Sequence, residues 1–126
     1  PAISGAWGRY LRLRLRSPRQ ARSAALVIPD TAELRWLAID GHTVPPYPEH
    51  RKAWYEGVHH HPIVALPPEG VLVELVLRSP DPVSFTVLDA SEGLPAAADP
   101  LVHARPSWAI PSHAGDRTLM SRSVAY

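Results

Sequence analysis

The sequence predicts an all-β fold, an antiparallel β-sandwich of jelly-roll or immunoglobulin-like type, with about seven to nine short strands and little helix. Residues 10–16 read Tyr-Leu-Arg-Leu-Arg-Leu-Arg, a strict period of two that puts Leu11, Leu13 and Leu15 on one face and Arg12, Arg14 and Arg16 on the other. Short apolar runs recur between turn signals: Ser17-Pro18, Asp40-Gly41, Pro67-Pro68-Glu69-Gly70 and Ser79-Pro80-Asp81-Pro82. No stretch of ten or more residues combines helical periodicity with freedom from proline and glycine.

After the first strand and its Ser-Pro turn, residues 24–28 form an apolar run ended by Pro29-Asp30. Residues 34–39 lead into Asp40-Gly41 and then His42-Thr43-Val44. Asp-Gly between two strand-like runs asks for the positive φ angles of a type I′ hairpin. Three prolines in residues 44–48 make that stretch loop. Residues 54–59 and 63–66 read as two short strands meeting at a His60-His61-Pro62 corner. Residues 71–77 alternate only loosely, with Glu74 as the one charge, as expected of a central strand. Val83, Phe85 and Val87 alternate with Ser84, Thr86 and Leu88 in the next strand, and residues 118–125 form the last. Residues 90–115 hold four prolines, an alanine run and two glycines, and read as an extended connection across the sandwich surface with room for one helical turn near 94–101.

A chain of 126 residues is long enough for one ordinary core, and with no repeat or linker to divide it, residues 1–126 form a single domain. It begins at Pro1, which reads as the C-terminal piece of a longer protein. Thirteen Lys and Arg balance 12 Asp and Glu, so the net charge of +1 provides no field for a nucleic-acid backbone. No cysteine is present for disulfides, thiolate metal sites or a Cys nucleophile, and no apolar run is long enough to span a membrane.

Among the seven histidines, His59 and His61 would share one side of a strand and are the candidate metal ligands. Two imidazoles fall short of the three or four protein ligands that zinc takes, so a solvated corner is the competing reading. No hydrolase signature occurs, and a Ser-His-Asp set of Ser91, His103 and Asp89 can be assembled only on paper, since such triads are defined by geometry. The Arg12, Arg14, Arg16 stripe is expected to be an ordinary solvent face. Trp36, Trp54, Tyr55 and Trp108 raise a carbohydrate- or ligand-binding module as the alternative function. Trp36 is expected in the core, and the adjacent Trp54 and Tyr55 would face opposite ways in a strand.

The tail carries a distinctive pattern. Asp89-Ala-Ser91-Glu-Gly93-Leu94-Pro95 is followed by Arg105-Pro106, then Gly115-Asp116-Arg-Thr-Leu, then Ser121-Arg122-Ser123. It resembles the C-terminal soluble domain of bacterial membrane-anchored zinc peptidases, metallopeptidase family twenty-eight of the aminopeptidase Y type. The resemblance implies a non-catalytic accessory domain on the periplasmic side of the inner membrane, whose partners are the peptidase and membrane domains of its own parent chain. Zinc, its ligands and the catalytic base would all lie in the peptidase domain, and no catalytic, cofactor or metal residue carries over to this chain. The pattern residues Asp89, Ser91, Gly93, Leu94, Pro95, Arg105, Pro106, Gly115 and Asp116 are expected to be structural. Asp89 would bond backbone N–H groups where the chain leaves its strand, and Arg105 and Asp116 would need partners if buried.

Overall fold

A computed structural model describes residues 2–5, 8–45, 56–110 and 115–126. Among them nine strands form: β1 (Ala2–Gly5), β2 (Gly8–Leu15), β3 (Ser23–Pro29), β4 (Leu34–Ile39), β5 (His42–Thr43), β6 (Val58–Val64), β7 (Val71–Leu77), β8 (Ser84–Glu92) and β9 (Arg117–Ala125). One short helix, α1 (Asp99–His103), lies between β8 and β9. The strands make a five-stranded sheet, β1-β2-β7-β4-β5, and a four-stranded sheet, β6-β3-β8-β9, antiparallel throughout.

The antiparallel pairs β4–β5, β3–β6 and β2–β7 nest one outside the next, as in a long hairpin rolled over on itself. That nesting is the jelly-roll arrangement rather than the immunoglobulin one. The outermost turn of the roll departs from it. β1 folds back on β2, and the open side of β8 is taken by β9 from the far end of the chain.

β7 shows why the two sheets close on each other. Val71, Val73, Leu75 and Leu77 are all at most 4% exposed, while the residues between them are only half-buried. They meet Leu11 and Leu15 of β2, Leu26 and Ile28 of β3, Leu37 of β4 and Phe85 of β8 in one core cluster. Each such side chain contributes about 1.5–3 kcal/mol by leaving water. Gly70 immediately precedes β7 at φ +76, and a Cβ there would sit 2.3 Å from the Leu15 carbonyl oxygen, so the close approach of β2 requires glycine. The Asp40-Gly41 turn has both φ angles positive, +47 and +78, in accord with the expected type I′ hairpin.

Several expectations are corrected. Residues 60–62 make no corner, because β6 runs unbroken through Pro62. β6 is an edge strand, and an edge has one side without a ladder where a missing N–H is tolerated. Trp36 is 37% exposed rather than core. A bulge between Leu34 and Trp36 inserts one residue, and Trp36 moves to the face it shares with Val76 while Leu37 takes the inner face opposite Leu75. β1, for which the sequence pattern offers no signal, pairs with β2 and makes it an internal strand, while Arg12, Arg14 and Arg16 lie exposed as the solvent face expected of them. β8 continues to Glu92, well beyond Leu88. No described side chain of residues 93–110 is buried, so this connection stands on the surface instead of packing across it. The residues Trp54 and Tyr55 lie outside the described ones.

Candidate functional site

On the inner face of β8 the alternation that buries Phe85 and half-buries Val87 brings Asp89 to the same side. A carboxylate in that register needs partners, and the β2–β3 turn provides them. Ser17, 5% exposed, donates from Oγ to Asp89 Oδ2 at 2.7 Å, and Ser17 Oγ itself accepts the backbone N–H groups of Arg19 at 3.3 Å and Ala21 at 3.1 Å. Arg19 closes the node with Nη2 on Asp89 Oδ1 and Nη1 on Ser91 Oγ at 3.1 Å. Burial pushes the Asp89 carboxyl up, but the bonds from Ser17 and Arg19 and the Arg19 charge outweigh it and hold the group below its ordinary value of 3.8. Asp89 therefore bonds side chains of another turn rather than the expected backbone N–H groups at a strand exit.

Beside this node a groove of about 430 Å³ opens between β2 and the β8–β9 hairpin. Its floor is Leu13, Leu26, Val73, Phe85 and Val87, and its outer wall is Met120, Arg122, Val124 and Tyr126. Val87 faces Arg122 directly across the ladder and Phe85 faces Val124, so Arg122 shares the inner face of the sheet. The Phe85 and Tyr126 rings stand 5.6 Å apart at one end of the groove. Arg14, Arg16 and Arg19 complete the rim.

The other tail residues form a clasp. Arg105 Nη2 meets both Asp116 oxygens, at 2.8 and 3.0 Å, with each side chain about 30% exposed. The Gly93 N–H donates to the Asp116 carbonyl at 2.9 Å, and Thr118 Oγ1 donates to the Gly93 carbonyl at 2.8 Å. Gly93 and Gly115 hold φ of +84 and +69. Pro95 leads into the 3-10 turn Ala96–Ala98, the Pro106 carbonyl accepts Ala109 N–H at 2.9 Å, and Leu94 is 37% exposed. The structure thus gathers the pattern residues into two separate supports, Asp89 with Ser91 and Arg105 with Asp116.

His59 and His61 do face the same way, their rings stacked 6.3 Å apart at 15°. His59 Nε2 lies 3.4 Å from Asp30 Oδ1. His61 is 4% exposed, and burial, with the neighbouring His59 and His60, lowers its pKa from 6.5 to about 4. Among the described residues no group of three or more His, Cys, Asp and Glu side chains converges. The paper triad is not assembled: Asp89 is engaged by Ser17 and Arg19, while His103 Nδ1 lies 2.8 Å from the Asp99 carbonyl of its own helix. No helix among the described residues is long and apolar enough to cross a membrane.

Two sets of site residues escape a reading of the sequence. Ser17 and Arg19 register there only as a turn, although Asp89, at the fourth position after Phe85, signals a carboxylate on the core face that calls for a partner. Arg122 registers only as part of the tail pattern, although Met120, Arg122 and Val124 share one side of a strand.

The fold and groove define a class, the two-sheet antiparallel sandwich with one margin open between its sheets. Comparison with family models, curated proteins and solved structures returns no match.

Proposed function

We propose that this chain is a non-catalytic accessory domain of a membrane-bound zinc peptidase, serving to shape substrate access or assembly at the periplasmic face. The tail pattern supports the reading, and one structural observation carries it: the connection from β8 to β9 is anchored at its base yet leaves large apolar side chains among its described residues in water. Leu101 is 73% exposed, Trp108 82% and Ile110 86%, all in one short segment whose base is fixed by the Arg105–Asp116 clasp. A fixed base with an uncovered apolar tip suits contact with a neighbouring domain, since apolar side chains grouped in water mark interaction surfaces.

The test compares zinc-supplemented peptidase activity of this chain alone, of its parent chain and of the parent carrying Trp108→Ser with Ile110→Ser. The chain alone is expected to be inert, and the double variant to change the parent's rate or substrate range by at least about fivefold, the loss of roughly 1 kcal/mol of contact. Peptide cleavage by the isolated chain, or a double variant that behaves as the parent, would overturn the reading.

A further inference from the structure

We infer that the groove between β2 and β9 is a binding site for a small amphiphile with an apolar body and a single carboxylate, of the fatty-acid class, with Arg122 as the group that holds the carboxylate. This stands on the groove alone and does not depend on the accessory reading.

Its volume of about 430 Å³ falls within the usual span for small-ligand pockets, roughly 300–1,000 Å³. The apolar surface it offers a hydrocarbon is that of Leu13, Val87, Met120 and Val124, half-buried or exposed, above the closed packing of Val73 and Phe85. Of the charged groups on its border, Arg19 and Asp89 are committed to each other, and Arg14 lies on the outer face of β2 with Nη1 on the Glu69 carbonyl. Tyr126 ends the chain in a carboxylate that Arg9 already holds through Nη1, which leaves Arg122 as the inward guanidinium available to a ligand. Among the described residues no carboxylate lies within 4.0 Å of Arg14, Arg16 or Arg122. A guanidinium stays charged and presents a planar fork suited to a carboxylate, and its strength there grows where apolar walls exclude water.

An inward-pointing arginine on an edge strand also discourages strand addition, and that role by itself predicts no ligand. The two are separated by titrating the 126-residue protein with dodecanoate, dodecyltrimethylammonium and acetate below micellar concentrations, by calorimetry and by amide chemical shifts. Dodecanoate should bind at one site and shift residues of β8 and β9, with both other probes at least about tenfold weaker. R122Q should weaken dodecanoate about tenfold, and R35Q, at an exposed position on β4, should leave it unchanged. Val87→Phe fills the groove and should abolish binding. Arg122 is exposed, so R122Q should keep its melting temperature within about 2 °C, which separates lost binding from lost folding. Equal affinity for the two amphiphiles, an unaffected R122Q, or no dodecanoate binding overturns the inference. So does preferential uptake of an apolar peptide along the open side of β9, or self-association that blocks the groove.

Discussion

The four-stranded sheet ends on two edge strands, β6 and β9, that treat a basic side chain in opposite ways. On the inner face of β6, His61 and Ile63 are 4% and 6% exposed. On the inner face of β9, no residue is buried, and Met120 is 54% exposed. β6 closes on the core, whereas β9 faces the groove. The chemistry of each base fits its side: an imidazole can enter the core by giving up its proton, and a guanidinium cannot. The difference teaches that edge position alone does not decide burial; what the opposite sheet places over the strand does.

The largest expected effect breaks that comparison if it is wrong. Ile63→Ala on β6 should cost about 2–4 kcal/mol in urea unfolding, because it leaves a cavity in the closed half. Val124→Ala, half-buried on β9, should cost less than about 1 kcal/mol, since water already reaches its surroundings. Similar losses at the two sites would mean that the β9 side is packed as tightly as the β6 side.

A second, smaller effect sharpens the comparison on the β9 side, where a polar node takes over some of the work that packing does elsewhere. Ser17→Ala removes the donor to Asp89 and the acceptor of two backbone N–H groups in one step. It should cost about 2 kcal/mol and raise amide exchange in the β2–β3 turn first. A loss confined to the noise of the measurement would make the node ornamental and leave β8 to be held by its neighbouring strands alone.

These cases show how much is legible in the residues. Strict alternation in residues 10–16 and the Asp-Gly turn specify local geometry directly, and both lead to elements that the structure contains. Alternation fails where one inserted residue reverses the parity, as the bulge before Trp36 does, because a period of two carries no memory across an insertion. Proline at position 62 reads as a break, yet its effect depends on whether the strand is central or an edge, which is a property of sheet order. The candidate site divides in the same manner. Asp89 and Arg105 with Asp116 stand out within the tail, but Ser17 and Arg19 lie 72 and 70 residues from Asp89 in sequence, and only the β3–β8 pairing brings their turn to it. Arg122 gains its meaning from the groove, one wall of which is β9, paired with β8 from the far end of the chain.

The smallest effect concerns pH and belongs to β6. His61 has a folded pKa of about 4 against an ordinary 6.5, with burial as the main cause and the neighbouring His59 and His60 adding to it. Between those values the unfolded chain holds a proton that the folded protein does not, so stability falls as pH drops from 6.5 towards 4 and is complete above that window. Full conversion of the shift gives about 3 kcal/mol, and solvent screening at an edge strand reduces this to roughly 1–2 kcal/mol. Asp89 acts in a separate range. Its lowered pKa stabilises the fold above the ordinary value of 3.8, and that contribution goes as pH falls below it through the folded value. His61→Leu should therefore flatten urea-unfolding free energies between pH 6.5 and 4 while leaving the loss at lower pH in place. A slope that survives His61→Leu would assign the proton uptake to another group, and the closed edge would then owe nothing to an imidazole that sheds its proton on burial.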